Sequence, residues 1–255
     1  MASHFLLEGK RALVTGASRG VGRALAWALA GARAEVAVTA RRVESLAMTV
    51  RTIEERMQVR AVPVAMDVTD VGSIREAAAA AAEALGGLDI LVNNAGVERT
   101  APALEVEEEI WDLILDTNLK GAFFVAQAAG RIMSEGRGGA ILNVCALGSE
   151  RGIPLAVPYG SSKSGLLGMT RGLAAEWGRY FIRVNALAPG YVHTDMTEHL
   201  YLDREWRAAM LEMTPIARLG QTTDLGGAAV FLVSDAARFI TGACLPVDGG
   251  ILASL

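Results

Sequence analysis

Short runs of apolar, mainly β-branched residues alternate with longer runs whose apolar positions recur at helical spacing. This alternation favours a parallel sheet with helices on both faces. The predicted strands are Arg11 to Thr15, Glu35 to Thr39, Ala61 to Met66, Leu88 to Asn93, Ala140 to Cys145, Arg183 to Ala188 and Cys244 to Val247. The predicted helices are Val21 to Ala30, Val43 to Met57, Val71 to Leu85, Glu107 to Ser134, Pro158 to Arg179 and Asp224 to Ser234. The pattern therefore predicts an α/β fold with a doubly wound, seven-stranded parallel sheet in a single domain, residues 1–255.

Composition narrows the class of protein. At 255 residues, 52% of them hydrophobic, the chain can fill a core between two helical layers. The net charge of −4 is dispersed, which disfavours nucleic acid and membrane surfaces as partners. The first ten residues lack a signal-peptide core, and no apolar run approaches the roughly 18 residues of a membrane span. Cys145 and Cys244 lie in apolar runs without metal-ligand spacing, so we expect buried free thiols, no metal site and a cytoplasmic location.

Tyr159 and Lys163 stand four residues apart, on one helix face if Pro158 lies in the first turn. A tyrosine ordinarily has a pKa near roughly 10, and a cation a few ångström away lowers it by about 1 to 3. The pair is therefore a candidate general acid and base. The alternative is an exposed tyrosine and lysine on an ordinary helix.

A glycine-rich turn joins the first predicted strand to the first predicted helix. Its Gly16, Gly20 and Gly22 have the spacing Gly-x-x-x-Gly-x-Gly. Glycines let the backbone approach a pyrophosphate, whose charge is stabilised by amide groups at the helix N-terminus. This turn predicts a dinucleotide site.

Together these residues resemble the short-chain dehydrogenase/reductase family, whose members carry a Thr-Gly-x-x-x-Gly-x-Gly turn early and a Tyr-x-x-x-Lys pair about two-thirds along. Asn93-Asn94-Ala95-Gly96, Asn118, the stretch 189–194 and the stretch 247–250 also match the family pattern. The resemblance runs from about Gly9 to Gly250 and is nearest to gluconate 5-dehydrogenase-like or 3-oxoacyl-carrier-protein reductase-like members. It implies a Rossmann fold and a homotetramer joined through the two long helices.

The resemblance also implies a reaction and its residues. Hydride would pass between a nicotinamide cofactor and a carbonyl or secondary alcohol carbon. Tyr159 would protonate the alkoxide, Lys163 would lower the pKa of Tyr159 and bind the nicotinamide ribose, and Asn118 would hold a water that links Lys163 to solvent. The implied cofactor-binding residues are Gly16, Ser18, Arg19, Gly20, Val21, Gly22, Arg41, Arg42, Asp67, Val68, Asn94, Ala95, Gly96, Tyr159, Lys163, Pro189, Gly190, Val192 and Thr194.

The residues after the second strand bear on the choice between NAD and NADP. An NAD site needs a carboxylate for the ribose 2′-hydroxyl, whereas a 2′-phosphate needs a cation. Ala40 stands where the acid would be, and Arg41 and Arg42 follow it. Arg19 points to the same region in the related enzymes. We therefore expect NADP(H) to be preferred, with NAD(H) possible; two solvated arginines are the alternative.

The family's active-site serine is missing from this chain. The family places it 13 residues before the tyrosine, where this chain has Ala146. That serine donates a hydrogen bond to the substrate oxygen, and losing such a donor costs about 10² to 10³ in turnover. Cys145 lies on the other face of the strand, but Ser149 is a possible donor if the loop folds back. Three explanations stay open: an inactivating substitution, an enzyme that uses Ser149 or water, and a catalytically weak dinucleotide-binding or interaction protein.

The substrate side rests on fewer residues. The stretch around Ser149 and Glu150 resembles gluconate 5-dehydrogenase-like members and favours a sugar acid or polyol, with Ser149, Glu150, Arg151 and Tyr191 as contacts. The alternative for Glu150 and Arg151 is a solvent-facing loop pair. We expect residues 194–219 to form a small amphipathic flap over the substrate, carrying Trp206, Met210 and Met213. Core packing of these three side chains is the alternative.

Overall fold

The computed structural model describes residues 2–254, and its strands are short. They are Arg11–Val14 (β1), Glu35–Ala40 (β2), Ala61–Ala65 (β3), Ile90–Asn93 (β4), Gly139–Val144 (β5), Ile182–Pro189 (β6), Val192–His193 (β7), Gly220–Gln221 (β8) and Cys244–Val247 (β9). Seven of them form one sheet in the order β3-β2-β1-β4-β5-β6-β9, with every neighbouring pair parallel. The predicted doubly wound, seven-stranded sheet is confirmed.

Helices cover both faces of this sheet. The α-helices are Gly20–Gly31 (α1), Ala47–Thr52 (α2), Val71–Leu85 (α3), Glu108–Leu115 (α4), Ala122–Glu135 (α5), Val157–Trp177 (α6), Glu198–Leu202 (α7), Arg204–Glu212 (α8) and Gly226–Val233 (α9). π-Helical segments occupy Ile53–Met57 and Asp116–Gly121, and 3-10 turns include Val43–Leu46 and Leu147–Ser149. None of the helices in residues 2–254 is long and apolar enough to cross a membrane.

The core lies on the two faces of the sheet. Along β1, Ala12 and Val14 pack into one apolar cluster, and Leu13 packs into the other. Successive side chains of a strand point to opposite faces, so a strand buried on both sides must be apolar throughout. This is why the central strands could be recognised as continuous apolar runs.

Three details of the sequence prediction are wrong. The helix expected from Glu107 to Ser134 consists of α4, a π-helical segment and α5. The helix expected from Val43 to Met57 begins as a 3-10 turn and ends as a π-helical segment. Cys244 is only half-buried, because β9 is an edge strand of the sheet, whereas Cys145 is buried as expected.

The order in which successive strands are added to the sheet reverses between β1 and β4. Strands β2 and β3 lie on one side of this point, and β5, β6 and β9 lie on the other. In open α/β sheets the crevice outside the carboxyl ends of the strands at such a switch point is where ligands bind. The loops that follow β1, β4, β5 and β6 therefore define the site.

Candidate active site

The glycine turn after β1 is fastened to the loop after β4. The Thr15 hydroxyl oxygen accepts hydrogen bonds from the backbone N–H groups of Asn94 and Ala95, each at 3.0 Å. Asn94 Nδ2 donates to the carbonyl oxygens of Thr15 at 3.0 Å and Gly16 at 3.2 Å. A Cβ added at Gly16, whose φ is +64°, would lie 2.9 Å from Ala95 Cα. Only glycine fits at this close approach of the turn to the loop after β4.

The N-terminus of α1 faces the loop that follows β7. No side chain caps the first turn of α1, so its N–H groups are available to an anion. A Cβ at Gly20 would lie 3.7 Å from the Thr194 side chain, which places Thr194 against the same turn. Arg19 and Asp195 reach across this crevice, with Arg19 Nε 3.9 Å from Asp195 Oδ2. The glycine turn, α1 and Thr194 thus fit the pyrophosphate of a dinucleotide.

Arg41 and Arg42 are exposed just beyond β2. Arg41 is close enough to Asp67 to help lower the pKa of its carboxyl, although the larger causes are hydrogen bonds from Thr69. Asp70 is the N-cap of α3, because its carboxylate accepts bonds from Gly72 N and Ser73 N. Asp67, and not Asp70, therefore shares the crevice edge with Arg41. Arg19 lies beside Asp195, and its expected role near the adenosine ribose stays a prediction.

Tyr159 and Lys163 project from the first turns of α6, whose N-terminal turn contains Pro158. Lys163 is 4% exposed, and its Nζ donates a 2.7 Å hydrogen bond to the carbonyl oxygen of Val144 at the end of β5. The same Nζ lies 5.7 Å from the centre of the Tyr159 ring. The two side chains are therefore neighbours at the carboxyl edge of the sheet, as the spacing predicted.

The expected lowering of the Tyr159 pKa is wrong for this arrangement. Burial raises the pKa of Tyr159 because it removes water from the phenolate, and negative charge on Glu98 and Cys145 raises it further. Burial likewise lowers the pKa of Lys163. A lysine that is itself desolvated and hydrogen-bonded to a carbonyl stabilises a neighbouring anion less than a fully charged, well-placed one would.

Asn118 lies in the π-helical segment and is 1% exposed. Its Oδ1 accepts a 2.8 Å bond from Val97 N, and its Nδ2 donates to Val97 O at 2.9 Å and to Ser162 Oγ at 3.1 Å. Both amide protons are thus occupied. The side chain clamps the loop after β4 to α6, so a water relayed to Lys163 would have to bind another atom of this segment.

Ala146 lies at the end of β5, beside the 3-10 turn that contains Ser149. The Ser149 Oγ accepts a 3.3 Å hydrogen bond from Ala146 N and also contacts Cys145. Cys145 packs into a buried apolar cluster, and its Sγ lies 3.9 Å from the Lys163 carbonyl oxygen. The Cys145 thiol therefore points away from the crevice, as the strand alternation predicted.

Glu150 and Arg151 follow this turn and differ in how exposed their side chains are. Glu150 is exposed, and its charge raises the pKa of both cysteine thiols after the larger effect of their burial. Arg151 is half-buried and lowers the pKa of Tyr191, whose burial has the larger, opposite effect. Arg151 is therefore the less exposed of the two, and its charge reaches Tyr191.

Glu98 is a half-buried carboxylate that the sequence reasoning missed. Its negative charge acts on Tyr159, Lys163 and Tyr191, in each case after burial. It follows Val97, which Asn118 fixes through both backbone polar groups. The sequence offered only the position of Glu98, two residues after the Asn93–Gly96 motif, as a sign that it lies near the site. The motif itself gives no reason to expect an acid there.

The flap residues form an aromatic cluster over the crevice. The Tyr191 and Trp206 rings are 5.2 Å apart and nearly perpendicular, and Tyr201 lies 5.5 Å from Trp206. The Tyr201 hydroxyl donates a 3.0 Å bond to the Tyr191 carbonyl oxygen. Trp206, Met210 and Met213 are half-buried and lie outside the core clusters, which favours the flap over the core alternative.

The remaining predicted residues lie around the same edge of the sheet. A Cβ at Gly190 would be 2.6 Å from Asp248 Cα, which packs the turn after β6 against the stretch 247–250. Gly190 N donates a 3.0 Å bond to Val247 O. The predicted residues that the structure brings to this edge from the loops after β1, β4 and β6 are Gly16, Ser18, Val21, Gly22, Asn94, Ala95, Gly96, Pro189, Gly190, Tyr191, Val192 and Thr194.

Comparison with known proteins identifies the class. Residues 16–252 match the family model described as Enoyl-(Acyl carrier protein) reductase. The chain is 43% identical over 251 residues to gluconate 5-dehydrogenase of Gluconobacter oxydans (strain 621H), with 98% of each chain covered. The chain belongs to the short-chain dehydrogenase/reductase family, whose close relatives here are dehydrogenases acting on CH–OH groups.

Solved structures agree with this assignment. A protein of Sinorhizobium meliloti 1021 with a solved crystal structure has 60% sequence identity to this chain. The two structures superpose with a TM-score of 0.96 over 99% of this chain and 100% of the other. A gluconate 5-dehydrogenase from Burkholderia cenocepacia J2315, in complex with NADP and tartrate, is 38% identical with a TM-score of 0.96 and full coverage of both chains. The relatives of this chain include dehydrogenases of sugar acids and of polyols.

Proposed function

We propose that this protein is an NADP(H)-dependent oxidoreductase that interconverts a ketone and a secondary alcohol of a sugar acid or polyol. The observation that carries the proposal is the Tyr159–Lys163 pair at the switch-point crevice, beside the glycine turn and the open N-terminus of α1. A binding protein without chemistry has no need to bury a lysine next to a tyrosine at a dinucleotide site.

The residues of the site have separate roles in this reaction. When bound, the nicotinamide cofactor accepts or supplies the hydride. Tyr159 gives a proton to the oxygen of the forming alcohol and takes it back in oxidation, while Lys163 would bind the ribose of the cofactor. Asn118 keeps the loop after β4 and α6 in fixed relation. The aromatic cluster of Tyr191, Tyr201 and Trp206 excludes water from the reacting carbon.

NADP(H) is the proposed cofactor because Arg41 and Arg42 stand beyond β2 without an acid at Ala40. Both guanidinium groups are exposed, and Arg41 lies near Asp67, where the adenosine half of the cofactor would lie. NADP in the complex of the Burkholderia relative supports the same choice.

Ala146 stands where the related enzymes place the serine hydroxyl donor. The engagement of the Ser149 hydroxyl by Ala146 N and Cys145 favours a lost donor over a replacement by Ser149. Restoring the hydroxyl should therefore raise turnover. We expect Ala146→Ser to increase kcat for NADPH-dependent ketone reduction by about 10²-fold, because one preorganised donor contributes about that much.

The experiment compares the native chain, Ala146→Ser and Ala146→Cys on a panel of sugar-acid and polyol ketones, following NADPH absorbance. Cysteine matches serine in size but is a weak donor, so Ala146→Cys should stay close to the native rate. An equal rate in all three proteins would reject the serine-loss account. NADPH binding by calorimetry with no turnover in any of them would instead establish the alternative, a catalytically weak dinucleotide-binding or interaction protein.

The substrate class is proposed from the charges at the crevice. The charge of Glu98 acts on Tyr159, Lys163 and Tyr191, whereas the charge of Arg151 acts on Tyr191. Hydroxyl groups near the reacting carbon suit the carboxylate, and a carboxylate at the far end of a sugar acid suits Arg151. Residues 194–219 would close over such a substrate as the flap.

Association into a homotetramer is also proposed, through α4, α5 and α6. Trp111, Leu113 and Phe123 are exposed on these helices at 40%, 40% and 36%. Apolar side chains exposed together are typical of surfaces between subunits. Size-exclusion chromatography with light scattering tests this, and a monodisperse monomer would contradict it. A cytoplasmic location stays a prediction.

A further inference from the structure

Ser162 joins the π-helical segment to the start of α6 through a side-chain hydrogen bond. Its hydroxyl is completely buried and makes two bonds. The hydroxyl donates to the Tyr159 carbonyl oxygen at 2.7 Å and accepts from Asn118 Nδ2 at 3.1 Å. Ser162 therefore touches the backbone of the proposed acid on one side and the Asn118 clamp on the other.

These bonds form a continuous path from the loop after β4 to Tyr159. The backbone N–H and carbonyl groups of Val97 are both hydrogen-bonded to the Asn118 side chain. Asn118 in turn donates to Ser162, and Ser162 donates to the Tyr159 carbonyl oxygen. Lys163 is the next residue on the helix, and its Nζ is tied to Val144 at the end of β5. The first turn of α6 is thus fixed from β4 and from β5 at once.

Ordinary helix stability does not require this arrangement. A serine that bonds to a backbone carbonyl of the preceding turn is common in helices and slightly unfavourable there. The bond from Asn118 is different, because it joins two elements that are distant in sequence and both groups are buried. Buried side-chain networks whose members are all satisfied make the local structure rigid.

Resting on the proposed function, we propose that Ser162 is a positioning residue that sets the Tyr159 phenol relative to Lys163 and the cofactor crevice. The hydroxyl does not touch a reacting atom, and acts through the backbone of Tyr159. Misplacement of a catalytic group by about 1 Å can cost about 10²-fold in rate. Removal of the hydroxyl should therefore reduce turnover without weakening cofactor binding.

The test compares Ser162→Ala with Ser161→Ala. Ser161 is the preceding serine of the same helix and is exposed, so it controls for a serine-to-alanine change at this point. Ser162→Thr keeps a hydroxyl, and it serves as the rescue variant. All variants carry Ala146→Ser so that turnover is high enough to divide kcat from KM, and thermal unfolding shows whether each is folded.

We expect Ser162→Ala to lower kcat about 10-fold or more, with the Kd for NADPH unchanged and KM nearly so. The pH at which alcohol oxidation reaches half its maximal rate should move upward, because a phenol held less firmly near the Lys163 ammonium gains less stabilisation of its phenolate from that charge. Ser161→Ala should match the parent, and Ser162→Thr should recover most of the lost rate.

A second measurement does not depend on turnover. Tyrosine labelled with ¹³C at the ring carbon bearing the hydroxyl gives four signals in this chain, of which Tyr159→Phe removes one. With NADP⁺ bound, the titration midpoint of that signal should rise in Ser162→Ala and stay constant in Ser161→Ala. An unchanged midpoint and pH profile in Ser162→Ala would overturn the inference even if its melting temperature falls. A parent protein that binds NADP⁺ but turns over no ketone would overturn the proposed function. The titration midpoint of the Tyr159 signal would still show whether Ser162 positions the phenol.

Discussion

Replacing Arg41 by alanine tests the proposed preference for NADP(H) directly. Arg41 is exposed just after β2 and close to Asp67, so water surrounds its guanidinium and the effective dielectric is high. Two unit charges about 4 Å apart in water interact by about 1 kcal/mol. A 2′-phosphate carries close to two negative charges, so Arg41→Ala should weaken NADPH binding by about 2 kcal/mol, which is roughly 30-fold in Kd.

The assay is a pair of calorimetric titrations, with NADPH and with NADH, for the native chain and the variant. NADH lacks the phosphate, so its Kd should stay within about twofold, and the ratio of the two affinities carries the result. Arg51→Ala, which removes an exposed arginine of α2, serves as the control. The loss should shrink at 1 M salt, because the Debye length falls from about 10 Å at 0.1 M to about 3 Å.

An equal loss of affinity for both coenzymes would mean that Arg41 supports the adenosine pocket in general and does not bind the 2′-phosphate. An unchanged NADPH affinity would show that Arg41 is a solvated residue and that Arg42 or Arg19 must supply the cation. A loss that persists at 1 M salt would contradict the electrostatic reasoning.

Three further changes test the structure at other points. Glu98→Gln should lower the pKa of Tyr159, because it removes a negative charge that opposes the phenolate, and the pH profile of alcohol oxidation should move to lower pH; an upward movement would contradict this. Asp89→Asn should reduce the free energy of unfolding in urea by about 1.5 to 3 kcal/mol at pH 7, since it breaks a 2.7 Å bond from Arg11. Hydrogen bonds from Arg11 together outweigh burial and hold the pKa of Asp89 below its ordinary value. The stabilisation is therefore present above pH about 4 and is lost on acidification. If Asp89→Asn reduced the free energy of unfolding by the same amount at pH 3 as at pH 7, the pairing would be refuted. Gly121→Ala should destabilise the fold by about 1 to 3 kcal/mol and weaken NADPH binding, because a methyl group there meets a carbonyl oxygen of the loop after β3; a neutral change in urea would contradict it.

The sheet and the outline of the crevice could be predicted because they follow from local and periodic properties of the chain. Buried parallel strands must be apolar on both faces, so their runs are visible in the sequence, and β9 was predicted with the observed boundaries. The glycine turn was recognisable because Gly16 and Gly20 have positive φ and lie where backbone and side chains approach closely. Tyr159 and Lys163 were predicted to be neighbours because helical spacing fixes which residues share a face.

The interruption at Asn118 could not be predicted in the same way. The sequence from Glu107 to Ser134 is apolar at helical spacing throughout, and the π-helical segment in it depends on bonds to Val97 and Ser162, which are distant in sequence. Asn118 meets both partners only when the loop after β4 and the start of α6 come together in the fold. The small pair β7 and β8 escaped prediction because two-residue strands leave no periodicity to detect.

By itself, the sequence determined the order of strands and helices, the position of the glycine turn and the family to which the chain belongs, because these depend on residue types at fixed spacing. Only the tertiary structure decided the direction of the Tyr159 pKa, the proximity of Glu98 and the orientation of the Ser149 hydroxyl. Each of these depends on how much water remains around a group and which charges face it. Solvation and charge proximity are set by elements that meet from distant parts of the chain, so no local pattern encodes them.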